Sequence, residues 1–225
     1  MSVATARTTT PAGAEISRRI RETGPISVAE FMDIALAHPE HGYYRTRDPL
    51  GNKGDFITAP EISQVFGELI GAWCAVAWQQ MGSPATFGLI ELGPGRGTLM
   101  ADALRATRKV PGFMEAAGLH LVETSPVLRK AQAETLAGTE VSWHRAVQNI
   151  PPGPMILIAN EFFDALPIHQ IVRGKDSWHE RLVDLDGDRD ALCLVTGKAL
   201  IDAPAGTASD ASEGTIEEHC PAAAA

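Results

Sequence analysis

The spacing of apolar residues changes several times along the chain, and each change marks a different kind of element. In "SVAEFMDIAL" the apolar positions Val28, Phe31, Met32 and Leu36 recur at helical spacing, and Ser27 with Glu30 has the S-x-x-E form of a capping box. A shorter helix is expected over residues 14–22, stopped by Gly24 and Pro25, and residues 1–12 read as disordered. From 61 to 81 a stripe of Ile62, Val65, Phe66, Leu69, Ile70, Trp73, Val76 and Ala77 predicts a helix of about five turns packed into the core. Glu61, Gln64, Glu68, Gln79 and Gln80 interrupt that stripe too often for a membrane span. Between these helices, "HPEHGYYRTRDPLGNKGDFITAPEIS" has no period and reads as a long loop, with Phe, Ile and two Tyr arguing against disorder.

Beyond residue 85 short apolar runs at 88–92, 119–123, 141–143 and 155–160 alternate with helical patterns at 98–109 and 126–136. Strand alternating with helix implies crossover connections and a parallel sheet, hence a doubly wound α/β domain. Numbered along the chain, its four strands are expected in the order 3-2-1-4. After Pro167 the alternation stops, and "IHQIVR", "HERLVDLD" and "ALCLVT", joined by "GKDS" and "GDRD", suit antiparallel hairpins. Residues 199–225 are small and polar and read as a flexible tail. The expected organisation is a helical and loop cap over 1–84, the sheet domain with its hairpin insertion over 85–198, and the tail.

The chain has 225 residues and a formal net charge of -9, which disfavours a nucleic-acid partner held through its phosphates. Cys74, Cys193 and Cys220 are odd in number and far apart, reading as reduced thiols. With no signal-type apolar core at the start, a cytoplasmic protein is expected; the Arg and Thr content leaves the mitochondrial matrix as the lesser alternative. His38 and His41 lie three apart but lack a third ligand, so no metal is expected.

The chemistry centres on "IELGPGRGTL", residues 90–99. No Gly-Lys-Ser or Gly-Lys-Thr exists for a P-loop, and G-x-G-x-x-G fails in both registers, with Thr98 or Met100 in the third place. What remains is acid-x-Gly-x-Gly-x-Gly, with Glu91, Gly93, Gly95 and Gly97, the pattern of Rossmann-like S-adenosylmethionine (SAM) methyltransferases. Glycines there let backbone approach the ligand. The next strand, "LHLVETS", ends in Glu123, 26 residues past Gly97, where an acid accepts hydrogen bonds from ribose hydroxyls. Trp143 or His144 in "VSWH" could lie against adenine. Plain alternatives stand beside these: a turn used only for close packing, a strand-end glutamate facing solvent, a core tryptophan. In "ANEFFDALP", Asn160, Glu161 and Asp164 follow the fourth strand, and carboxylates there suit a guanidinium held by paired hydrogen bonds.

Five ordered stretches, "HPEHGYY", "GDFITAPEISQVFGEL", "IELGPGRGTLMADALR", "VETSPVLR" and "ANEFFDALPIHQ", together resemble the MidA-like SAM-dependent methyltransferases, over residues 16–183. The resemblance implies a Rossmann-like, class I methyltransferase domain with an N-terminal helical portion and a SAM site at Gly93, Gly95, Gly97 and Glu123. It also implies a loop from Gly54 to Thr58, bringing Asp55 and Thr58, folded over the cofactor. Mitochondrial members of that family are complex I assembly factors that methylate an arginine, so a protein substrate with a target arginine is expected here. Family members continue with further strands, and nothing after Thr196 fits them, so the C-terminal strands are expected to be missing. The fourth strand would then have a bare edge, favouring self-association, or would recruit the hairpin after Pro167. The alternative function is a noncatalytic assembly or binding protein on the SAM fold.

Overall fold

The computed structural model describes residues 10–46, 58–187 and 191–223. Residues 1–9, most of the stretch expected to be disordered, lie outside that set, as do Asp55 and all of the expected cofactor loop except Thr58. In chain order the elements are α1 (Pro11–Thr23), β1 (Ile26–Ser27), α2 (Val28–Met32), α3 (Tyr43–Thr46), α4 (Ala59–Ile62), α5 (Gln64–Gln80), β2 (Phe87–Leu92), α6 (Thr98–Thr107), α7 (Phe113–Ala116), β3 (Ala117–Val122), α8 (Pro126–Thr135), β4 (Ser142–His144), β5 (Met155–Ala159), β6 (His169–Arg173), β7 (Trp178–Asp186), β8 (Ala191–Ala199) and β9 (Ile216–His219). They form two compact units, one of residues 47–162 and one of residues 1–46 with 163–225.

The 47–162 unit is a parallel four-stranded sheet in the order β4-β3-β2-β5, the 3-2-1-4 order expected. Leu92 pairs with Val122 and with Ala159, and Val122 with His144, so all four strands end at one level. Side chains alternate across the sheet. Phe87 and Leu89 join Trp78, Leu104, Phe113 and Leu121 in the main core, whereas Ile90, Leu92 and Val122 face Ile150 and Phe162. Trp78, Phe87 and Phe113 interlock, with ring centroids 5.2 to 6.3 Å apart. Among the described residues β5 pairs with β2 alone, and the hairpin strands belong to a separate sheet instead of extending this one.

The predicted helix over 61–81 breaks at Ser63, whose extended backbone (φ -147°, ψ 120°) ends α4 and whose hydroxyl accepts from the Val65 amide to start α5. The expected face is buried only in part: Phe66, Ile70 and Ala77 pack on the main core. Ile62, Val65, Leu69, Trp73 and Val76 are 50 to 71% exposed, while Gly67, Gly71, Cys74, Ala75 and Trp78 are buried. The reason is close helix packing: a Cβ on Gly67 would lie 2.5 Å from Asp102 Cβ, and one on Gly71 2.4 Å from the Ala103 carbonyl oxygen. Small residues let α5 lie against α6, where large ones could not. Arg105 of α6 ties the pair, bonding Glu68 at 3.0 Å and also Asp102.

The other unit is an antiparallel sheet, β1-β7-β6-β9 with β8 on β7, backed by α1 and α2. Ser27 accepts from the Glu30 amide at 3.0 Å, the expected cap, and α2 runs into a π-helical turn over Asp33–Ala37. Ile16, Ile20, Ile26, Val28 and Val183 form its core. The tail expected from residue 199 contains β9, which pairs with β6 from His169↔His219 to Val172↔Ile216. Its "IEEH" alternates one apolar residue with charges, too little pattern to announce a strand whose role is to close an edge.

Candidate functional site

The common level of the strand ends brings Gly93, Glu123 and Asn160 to one edge of the sheet, each immediately after its strand. This is the edge at which open parallel sheets take ligands. Gly93, Gly95 and Gly97 adopt φ of 59°, 53° and 83°, a left-handed run that β-carbons oppose. Gly97 is the N-cap of α6. At Gly93 the close neighbour is protein: a Cβ would meet the Phe162 ring at 2.6 Å.

Glu123 is buried, and its carboxylate is held from two sides. Oε1 accepts from the Ser125 amide at 2.7 Å, and Oε2 accepts from Gln132 Nε2 at 3.3 Å. Burial raises its pKa, while the Ser125 and Thr124 amides, Gln132 and Arg129 pull it back. Arg129 donates to the carbonyls of Glu123 (2.8 Å) and His144 (2.7 Å), fastening β3 to β4 at this edge. Two carboxylate oxygens offer about four acceptor sites, enough for these partners and a ribose hydroxyl besides.

Glu91 is 2% exposed, and its Oε2 has no hydrogen-bond partner among the described residues. Burial lifts its pKa to about 8. A buried carboxyl oxygen without a partner, two residues before Gly93, suits a ligand that brings a polar group to it, such as SAM. Glu61 carries no motif that marks it as a site residue, yet its carboxylate accepts from the Thr98 hydroxyl at 2.6 Å beside the glycine turn, with Arg96 3.9 Å away. Thr58 begins α4, its carbonyl accepting from the Glu61 and Ile62 amides.

Trp143 donates its indole N–H to Gln132 Oε1 at 2.9 Å and packs on the main core. His144, the other candidate for adenine, has its ring bonded to His120 at 2.9 Å. Gln132, 0% exposed, is the site residue that no motif marks. A subtler signal does exist: Leu128, Gln132 and Leu136 stand four apart on one buried face, and an amide on such a face needs specific partners. Asn160 is half-buried, and Glu161 is exposed with φ 47°, an uncommon conformation for a residue with a side chain. Asp164 belongs to the other unit, in a single 3-10 turn over Phe163–Ala165, where it adds to burial in raising the Tyr44 pKa. The described residues expected to hold the cofactor all belong to the 47–162 unit, as do Asn160 and Glu161, whereas Asp164 belongs to the other.

The profile of a family described as "S-adenosyl-L-methionine-dependent methyltransferase" matches residues 69–225. The chain is 45% identical over 204 residues to the mitochondrial protein arginine methyltransferase NDUFAF7 homolog of Drosophila melanogaster, covering 79% of this chain and 46% of that protein. It is 44% identical to the Danio rerio protein (76% and 46% covered) and 41% identical to the Homo sapiens protein (79% and 46%), both named mitochondrial protein arginine methyltransferase NDUFAF7. The chain therefore spans about half the length of the curated relatives it matches. Those relatives are mitochondrial, which overturns the expected cytoplasmic location; a start without a signal core says nothing of which organelle a chain reaches. A Burkholderia thailandensis protein crystallised with S-adenosylhomocysteine (SAH) superposes with a TM-score of 0.75 at 27% identity, covering 95% of this chain and 57% of that one. A native crystal structure from the same organism gives 0.73 at 28% identity, with 94% and 55% covered. The MidA-like resemblance and the class I fold expected from the motifs are thereby borne out. The chain belongs to this family of S-adenosyl-L-methionine-dependent methyltransferases.

Proposed function

We propose that the chain methylates an arginine of a protein substrate, using SAM held at the carboxyl edge of the parallel sheet. The observation that carries this reading is the register that ends β2, β3 and β5 together, setting Gly93, Glu123 and Asn160 at one level. Gly93, Gly95, Gly97 and Glu91 take the amino-acid side of the cofactor, and Glu123 takes the ribose. Asp55, Thr58 and Trp143 belong to the same cofactor side. When bound, SAM supplies an electrophilic methyl group on a sulfonium. Glu161, with Asn160, accepts hydrogen bonds from the guanidinium and orients one nitrogen for in-line attack, and the sequence motif assigns Asp164 the same role. These carboxylates need not be strong bases: the nitrogen would pass its proton to a carboxylate or to water only once the methyl had broken from sulfur, releasing SAH, and bonded to nitrogen. Arginine as the acceptor is supported by the three relatives named protein arginine methyltransferases. No helix among the described residues is long and apolar enough to cross a membrane. Self-association through the single-partnered β5 edge belongs to the same reading.

The test uses methyl-labelled SAM with a mitochondrial extract, followed by amino-acid analysis of the labelled polypeptide. Label in methylarginine is expected. Glu161→Gln and Asp164→Asn should each lower turnover by about 10²-fold, the scale of losing a positioning contact, with SAH affinity nearly unchanged. Label in another residue, or full turnover in both variants, overturns the arginine assignment.

A further inference from the structure

The polar network behind the glycine turn has a centre that neither the family description nor the sequence motifs assign. Gln132 of α8 is fully buried and reaches three elements at once. Its Nε2 donates to the Gly95 carbonyl at 2.7 Å and to Glu123 Oε2 at 3.3 Å, and its Oε1 accepts from Trp143 Nε1 at 2.9 Å. These partners determine the sense of the carboxamide. An indole N–H can only donate, and a carbonyl or carboxylate oxygen can only accept. Oε1 must therefore face Trp143, and both hydrogens of Nε2 must face the cofactor edge. Inverting the amide would set two acceptors against each other on one side and two donors on the other, in a site closed to water.

We propose that Gln132 is the positioning residue of the cofactor site: its carboxamide sets the Gly95 backbone and the Glu123 carboxylate in register with one another, and Trp143 locks that carboxamide in the productive sense. This rests on the cofactor reading above and deepens it. Gly95 and Glu123 hold different parts of one ligand, so their mutual spacing has to match the ligand's length before it arrives. A single amide nitrogen bonded to both of them sets that spacing. Trp143 thereby acts on the glycine turn and on Glu123 through Gln132. A Cβ on Gly97 would come 3.5 Å from the Gln132 Cα, so α8 packs directly against the turn it positions.

The test is a double-mutant cycle on SAH affinity, read by calorimetry, with a thermal melt of each variant. Gln132→Met keeps the volume and removes all three hydrogen bonds; it should weaken SAH by about tenfold or more. In a Glu123→Ala background the same change should cost less than about threefold, because one of the two groups whose spacing it sets is gone. Gln132→Glu keeps the acceptor for Trp143 while turning both cofactor-side donors into acceptors. It too should lose affinity by about tenfold or more, and it keeps the question open to measurement should the Met variant fail to fold. Affinity within about twofold of the unaltered chain in either folded variant overturns the inference, as does an equal fractional loss in both backgrounds, which is what general loosening would give. Failure of the unaltered chain to bind SAH overturns the cofactor reading, and this inference with it. Loss in Glu123→Ala with none in the Gln132 variants overturns this inference alone.

Discussion

A carboxyl group that is 2% exposed and has an unpartnered oxygen, as Glu91 has, keeps its proton well past the usual range, because ionising it would bury an uncompensated charge. Its pKa of about 8 in the folded chain stands above the ordinary value of 4.5. For an acid with a raised pKa the linkage has a definite sign: the folded state holds the proton longer, so the contribution to stability is complete below about pH 4.5 and declines as pH rises through about 8. Urea melts from pH 5 to pH 9 should show that decline, amounting to about 1.4 kcal/mol for each pH unit between the two pKa values. Glu91→Gln should remove it and be the more stable protein at pH 9; an unchanged slope would mean that Glu91 titrates normally. That Glu91, Gly93, Gly95, Gly97 and Glu123 lie at or beside the ends of strands was legible, because a strand-to-helix turn of this kind demands particular residue types at fixed spacing. Gln132 was less legible, because its importance lies in three partners that are distant in sequence and become neighbours only when α8 docks.

At the scale of elements, α5 shows where periodicity misleads. A stripe of large apolar residues and a stripe of small ones share the same helical period, and hydrophobicity alone favours the large. Backbone approach shifts that preference: Gly67 and Gly71 face α6, Phe66 and Ile70 still pack on the core, and Val65, Leu69, Trp73 and Val76 face outward. Gly71→Val should therefore destabilise the protein by about 3 kcal/mol through overpacking against the Ala103 backbone. Leu69→Gln, on the exposed side, should stay within about 0.5 kcal/mol. Denaturant melts of the two variants check this arrangement, and equal losses would refute it. The four parallel strands were easier to read, since short apolar runs alternating with helices are what strands buried on both faces require. β9 was harder, being half charged and specified by its partner β6.

The whole molecule consists of two units, one continuous in sequence and one assembled from both ends of the chain. The described residues proposed to hold the cofactor lie in the continuous unit, so ligand should protect that unit preferentially. With SAH at 100 times its Kd, about 2.7 kcal/mol is added to the stability of the unit that binds it. Hydrogen exchange should then slow by up to about 100-fold in β2, β3 and α8, and far less in β7 and β8. Equal slowing everywhere would show that the two units open together. The discontinuous unit has a further consequence, which concerns time. Its core joins Ile16, Ile20 and Val28 to Val183, so the first helices leave the ribosome long before the strand they pack on has been made. At about 5–20 residues per second that interval is on the order of 10 s, during which the intervening sheet unit is already complete in sequence. Translation thus hands the cell a nascent chain whose middle can fold first while the apolar faces of its first helices wait uncovered, and chaperones that bind such faces have their opportunity there.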